Sequence, residues 1–259
     1  MADKKIRTGV IGLGLGAGHV AAYQAMDNAE VIAICDISEP WLKYCQDDWK
    51  ISTGYTDYRE MLKNKDIDAI SIALPTKLHA EATIEALQAG KHVLVEKPMA
   101  VTGDEAQAMA DAAKKSGRVL MVSYNQRFGQ DVMFLKRYIG EGHLGDIYFA
   151  RTLWRRPLGM LPPAMHPRPT GAYNRNWFNE ANNGGGVARD LGSHVIDIAM
   201  WLLGFPEIES VTGKAFNIFL PEWLAGQGVQ CDADDHSVGF VKFKNGACLQ
   251  IEAAFGSYS

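Results

Sequence analysis

Through the first half of the chain, short and nearly continuous apolar runs alternate with longer segments of helical period. The runs fall at residues 8–11, 31–35, 69–74, 92–95 and 119–122. Between them, residues 17–28, 39–50, 58–65, 79–89 and 104–116 are rich in Ala, Leu, Met, Glu and Lys at helical spacing. A strand with one wet face alternates polar and apolar positions, so unbroken apolar runs predict parallel strands covered on both faces. Gly90 and Gly117 stand where helices need a left-handed cap. Repeated strand-helix alternation predicts a doubly wound parallel sheet with right-handed crossovers.

Beyond about residue 125 the pattern changes. A helix is expected over 131–139 and a strand over 146–151, then an ordered loop rich in Pro, Arg and Trp over 154–177. A helix over 192–203 and strands over 208–219, 236–243 and 247–255 follow. Asn245-Gly246 between the last two is a strong hairpin signal. In the final strand Ala247, Leu249, Ile251, Ala253 and Phe255 share one face, as an antiparallel sheet with one covered side requires. The pattern predicts an α/β protein: a Rossmann dinucleotide-binding domain over 1–125 and an α+β domain with a mostly antiparallel open sheet over 126–259.

A length of 259 residues suits two cores, and the net charge of -4 offers no global attraction for nucleic acid or an anionic membrane. The start of the chain lacks the apolar core of a signal peptide, and apolar stretches of about 6 residues fall far short of the roughly 20 that span a bilayer. A cytoplasmic location is expected. Cys35, Cys45, Cys231 and Cys248 form no CxxC pair and read as small hydrophobes.

Candidate chemistry begins with Gly12-Leu13-Gly14-Leu15-Gly16-Ala17, a GxGxxG/A pattern that closes a strand and opens a helix. Gly12 permits the tight turn, Gly14 lets the backbone approach a pyrophosphate, and Ala17 falls where helix and strand pack closely. The helix N-terminus then faces the phosphates. Asp36 ends the second strand about 20 residues on, where a carboxylate accepts from the adenine-ribose hydroxyls and repels a 2′-phosphate. NAD is therefore expected over NADP, although a helix cap is the structural alternative for Asp36.

Leu74-Pro75-Thr76 with His79, then Ala89-Gly90-Lys91-His92-Val93 and Glu96-Lys97-Pro98, resemble the glucose-fructose oxidoreductase/inositol dehydrogenase (Gfo/Idh/MocA) family. The likeness continues through Tyr124-Asn125-Gln126-Arg127-Phe128, Gly145 and the stretch from Gly184 to Asp197. Leu74-Pro75 departs from the commoner residues of that turn, and His19 stands one position from the family's usual histidine, so no role is assigned to it.

The resemblance implies a hydride-transferring oxidoreductase acting on a CH-OH group of a sugar or cyclitol. It makes Lys97, Asp190 and His194 the catalytic set. Gly12, Gly14, Leu15, Ala17, Asp36, Leu74, Pro75, His79, Glu96 and Lys97 are assigned to the cofactor, and Asn125, Arg155, Trp177, Asp190 and His194 to the substrate.

An ammonium at Lys97, at the carboxyl end of a parallel strand, can stabilise an oxygen gaining negative charge. His194 can take a hydroxyl proton, and Asp190 lies four residues before it, on the same helical face. Sequence leaves open which of Lys97 and His194 is the base. Asp197 raises a competing DxxxHxxD metal reading, for which no further ligand stands out, so no metal is expected.

Trp154, Arg155, Arg156, Asn176 and Trp177 form either a polyol-binding wall or ordinary packing and solvated surface. Two rival activities stay open: an NAD-retaining glycoside hydrolase or lyase working by transient oxidation, and a non-enzymatic dinucleotide-binding sensor. Relatives commonly continue with more sheet, expected here beyond Ser259, and commonly form dimers or tetramers, so a homo-oligomer is expected.

Overall fold

The structure, a computed structural model, describes residues 5–157, 180–219 and 231–257. The chain passes from one compact unit to a second between Ser123 and Tyr124.

The first unit runs β1 (Ile6–Ile11), α1 (Gly16–Gln24), β2 (Ala29–Cys35), α2 (Glu39–Trp49), β3 (Gly54–Tyr55), α3 (Tyr58–Leu62), β4 (Ala69–Ile72), α4 (His79–Gln88), β5 (His92–Glu96), α5 (Gly103–Ser116) and β6 (Leu120–Ser123). Its six-stranded sheet has the order β3-β2-β1-β4-β5-β6 and every pairing is parallel. The apolar runs are continuous because successive residues enter opposite cores. Val10 and Ile34 join Val20, Trp41, Leu42 and Cys45, while Ile11, Ala33 and Cys35 join Met61, Ala82, Ala86, Leu87 and Met109.

Helix ends follow local chemistry. The Ser38 side chain caps α2 by accepting from Trp41 N-H, and Thr102 with Glu105 makes a reciprocal capping box on α5. Gly90 and Gly117 take φ of +77° and +65°, as their cap positions require. The two-residue strand β3 was not anticipated, since a pair of residues carries no periodicity.

In the second unit, α6 (Gln130–Gly140) precedes β7 (Phe149–Pro157), a π-helical turn Ala188–Gly192, α7 (Ser193–Leu202), β8 (Ile208–Phe216), β9 (His236–Phe243) and β10 (Cys248–Ser257). Among the described residues the sheet order is β7-β10-β9-β8, with β10 parallel to β7 and antiparallel to β9, and β9 antiparallel to β8. The hairpin forms at Asn245-Gly246, with Gly246 at φ +87°. Ala199 of α7 packs with Val241, Phe243 and Leu249 on one face of this sheet.

One expectation is corrected here. The strand expected over 146–151 begins at Phe149 and continues to Pro157, so Trp154, Arg155 and Arg156 lie in a strand and not in a loop. Pairing with β10, which sets Trp154 opposite Ala253 and Arg155 opposite Ala254, outweighs the weak strand signal of a Trp-Arg-Arg sequence. Among the described residues no helix is long and apolar enough to cross a membrane.

Candidate functional site

In the first unit, candidate residues gather at the carboxyl ends of β1, β4 and β5. The order of the sheet reverses between β1 and β4, which is where such folds bind ligands. Gly12 adopts φ +84°, and a Cβ there would lie 2.4 Å from the Ala73 carbonyl oxygen, so glycine alone fits. A Cβ added at Gly16 would come within 2.8 Å of Val10 Cγ1. The close helix-strand approach assigned above to Ala17 therefore falls at Gly16, because α1 begins there and Ala17 has already rotated half out of the core.

The loop between β1 and α1 is tied from beneath. Leu13 N-H donates to Asp36 Oδ2 at 3.0 Å, and Leu13 carbonyl accepts from the buried Trp41 Nε1 at 3.3 Å. Asp36 Oδ1 accepts from Ser38 N-H at 3.0 Å. The carboxylate expected to accept from a ribose braces the glycine turn, a role that sequence spacing did not reveal. No side chain caps the N-terminus of α1, and its first-turn N-H groups suit an anion. A cradle that excludes a Cβ and ends in an uncapped helix fits a dinucleotide pyrophosphate, with Gly14 and Leu15 in its loop.

At the end of β4, Leu74 and Pro75 are half-buried and His79 is buried at 1% exposure. His79 Nδ1 lies 2.8 Å from Pro98 carbonyl oxygen and Nε2 lies 2.8 Å from Leu74 carbonyl oxygen. Both ring nitrogens meet backbone, so His79 joins the β4 turn to the Lys97-Pro98 turn and acts on a ligand only through them. The Lys97-Pro98 peptide is cis.

Lys97 is half-buried beyond the end of β5, and its backbone N-H donates to Glu96 Oε2 at 3.1 Å. Glu96 Oε1 lies 2.9 Å from His19 Nε2. Burial pushes the Glu96 carboxyl up, but the hydrogen bond and charge of His19, with help from Ser123 and Lys97, outweigh it and hold it below the usual carboxylate range. His19, left without a role by its shifted position, is the partner of Glu96.

In the second unit, Asp190 lies in the π-helical turn and His194 in the first turn of α7, 9% exposed. π-turns inside helices often mark functional sites. Asp234 holds this segment: its carboxylate accepts from Ala188 N-H at 2.9 Å and Ser237 Oγ at 2.7 Å, and its carbonyl accepts from Val187 N-H at 2.8 Å. A Cβ at Gly186, φ +102°, would lie 2.0 Å from Asp234 Oδ1, which explains why the run Gly184-Gly185-Gly186 ends in glycine. Sequence reading missed Asp234, whose one signal is the acidic cluster Asp232-Ala233-Asp234-Asp235.

Asp197 is paired with an arginine. Arg127 Nε donates to its Oδ2 at 2.7 Å, a second bond runs from Nη2 to Oδ1, and the guanidinium sits among the rings of Tyr124, Trp201 and Phe205. This pair ties the turn carrying the exposed Asn125 to α7, and it answers the DxxxHxxD metal reading at that carboxylate. Among the described residues no group of metal-ligating side chains gathers.

Arg155, assigned above to the substrate, is engaged by a carboxylate. It donates from Nε and Nη2 to Glu252 of β10 at 2.8 and 2.7 Å. Thr152 and Trp154 face α7, through Thr152 Oγ1 to Val195 carbonyl at 3.3 Å and the indole 5.5 Å from the His194 ring. Strand side chains alternate, so Arg155 belongs to the opposite face, and Arg156, 3.9 Å from Asp190 Oδ2, belongs beside the candidate pair. Trp177 and Asn176 lie outside the described residues.

Residues 6–124 match the oxidoreductase family with an NAD-binding Rossmann fold, and residues 132–259 match the GFO/IDH/MocA C-terminal domain. D-glucoside 3-dehydrogenase of Escherichia coli K12 is 31% identical over 98% of this chain and 72% of its own length. Levoglucosan dehydrogenase of Pseudarthrobacter phenanthrenivorans is 33% identical over 76% of this chain and 52% of its own.

A solved structure of levoglucosan dehydrogenase in complex with NADH and levoglucosan superposes with a TM-score of 0.85 at 29% identity, covering 99% of this chain and 68% of that one. The chain thus spans between half and three quarters of the length of these relatives. With both domains matched, the chain belongs to the Gfo/Idh/MocA oxidoreductase family.

Proposed function

We propose that the protein oxidises or reduces a CH-OH carbon of a sugar or cyclitol with NAD as the redox partner. The observation that carries this reading is the Gly12 turn, which excludes a Cβ and is braced by Asp36, in a chain whose fold matches a dehydrogenase bound to NADH and a sugar. Bound NAD supplies the hydride acceptor. His194 takes the proton of the reacting hydroxyl, since an imidazole titrates nearest neutrality. Asp190 holds a neighbouring hydroxyl, and the Lys97 ammonium stabilises the substrate oxygen as negative charge develops.

Asp36 favours NAD over NADP by accepting from the ribose and repelling a 2′-phosphate. Asp36→Ala should weaken NAD about tenfold and NADP less, as read by fluorescence titration of each; an unchanged ratio would remove that role.

The decisive assay follows absorbance at 340 nm with NAD across inositols, aldoses and glycosides, with glycoside cleavage measured in parallel. Reduction of NAD by a cyclic polyol is expected. Cleavage without net reduction would favour transient oxidation, and NAD binding without either would favour a sensor. Self-association belongs to the same reading: β8 is exposed along nearly its whole length, including Val211 at 64%, and light scattering should report more than one chain per particle.

A further inference from the structure

Arg156 sits in β7 beside the Asp190-His194 segment, three quarters buried at 26% side-chain exposure. Its guanidinium lies 5.6 Å from the centre of the Trp154 ring, whose other neighbour is the His194 imidazole at 5.5 Å. Its charged neighbour, Asp190 Oδ2, is 3.9 Å from Nη1, which is beyond hydrogen-bonding distance.

Arg155 and Arg127 of this unit behave differently, whereas the half-exposed Arg151 lies 3.9 Å from Glu252 and is open to solvent. Arg155 closes on Glu252 at 2.7 Å and Arg127 closes on Asp197 with two bonds. Among the described residues the Arg156 guanidinium makes no hydrogen bond, although it carries five N-H donors. A largely desolvated cation with unused donors calls for acceptors from elsewhere.

The neighbouring charge restricts which acceptors suit it. An anionic ligand would meet the Asp190 carboxylate as well as the guanidinium. A neutral ligand with two adjacent hydroxyls can accept from Arg156 and donate to Asp190, because each hydroxyl does both. Trp154 holds the guanidinium and the imidazole on one indole, so the hydroxyls read by Arg156 and Asp190 determine which carbon is presented to His194.

We infer that Arg156, with Asp190, is the specificity-determining pair of this protein, reading neighbouring hydroxyls on an uncharged ring. The inference rests on the dehydrogenase reading above and names the substrate class that the same site takes.

The test compares wild type, Arg156→Met and Arg156→Lys in NAD-linked kinetics on neutral glycosides and cyclitols, their monodeoxy analogues and the matching uronates, with NAD affinity titrated separately. Arg156→Met should lower kcat/KM for the best neutral polyol about 30-fold and leave NAD affinity unchanged.

One monodeoxy analogue should lose a similar factor in wild type and little more in Arg156→Met, since the same contact is already gone. Arg156→Lys, which keeps the charge but not the paired donors, should fall between. If Arg156→Met is poorly folded by circular dichroism, Arg156→Lys alone decides.

Equal losses on every substrate, a wild-type-like Arg156→Lys, or a wild-type preference for uronates would overturn the inference while leaving the dehydrogenase reading intact. Silence of wild type on all substrates would overturn both.

Discussion

The two units hold their functional groups by different means. In the first, the contacts on the glycine turn and the strand ends beside it meet at backbone groups: Gly12 against the Ala73 carbonyl, Leu13 N-H on the Asp36 carboxylate, and the His79 ring between two carbonyl oxygens. In the second, the segment bearing Asp190 and His194 is held by charged side chains that reach across long sequence separations, Asp234 to Ala188 N-H and Arg127 to Asp197.

Backbone contacts constrain residue size and leave glycines at spacings that can be read. Charge pairs constrain only the two partners, and a lone Asp or Arg in a sequence does not announce its mate. The first unit is the more legible because its turn must have glycine at Gly12, whereas the partners of Asp36, Glu96, Asp234 and Arg127 all lie far off in sequence.

The comparison breaks most visibly if the second unit's pair is cut. Arg127→Met leaves a carboxylate at 8% exposure without its cation and should cost about 3–5 kcal/mol. Urea unfolding should show the loss, while NAD titration should stay near wild type if the glycine turn is independent of that pair.

Lys97→Met should lower turnover about 10²–10³-fold with little change in NAD affinity, as measured by steady-state kinetics and calorimetry. A wild-type rate would remove the lysine from the chemistry.

Gly12→Ala sharpens the other side. The left-handed φ alone costs about 1–2 kcal/mol, and the collision with Ala73 carbonyl adds to it, so NAD affinity and the unfolding midpoint should fall together.

The smallest effect is expected at the first unit's own charge pair. Glu96 titrates below its unfolded value of about 4.3. Its pair with His19 therefore contributes in full above that pH and is lost as pH falls through the folded pKa. Glu96→Gln should flatten the acid limb of stability by about 1 kcal/mol. An unchanged limb in pH-dependent urea titrations would show that the pair contributes nothing.

Particular residues show where sequence reading and the structure part. Ala17 was chosen for the close approach because the pattern places it last, yet α1 starts one residue earlier and Gly16 meets Val10. Arg155 was chosen from a stretch taken as loop, where neighbouring residues have no assigned faces. Once that stretch is strand, alternation sends Arg155 to Glu252 and Arg156 to Asp190. His79 was assigned to the cofactor, and its two backbone partners lie in turns that no spacing connects.

From the order of its residues alone, this chain declares a parallel α/β domain and a glycine turn that closes a strand and opens a helix. Those signals are local: apolar period, glycine where φ is positive, and motifs read in register. Which face each arginine serves, which carboxylate is already spoken for, and what braces each loop depend on strand pairing and helix packing between residues far apart in the chain. Such contacts are set by the buried geometry of the whole core, and only the folded molecule resolves them.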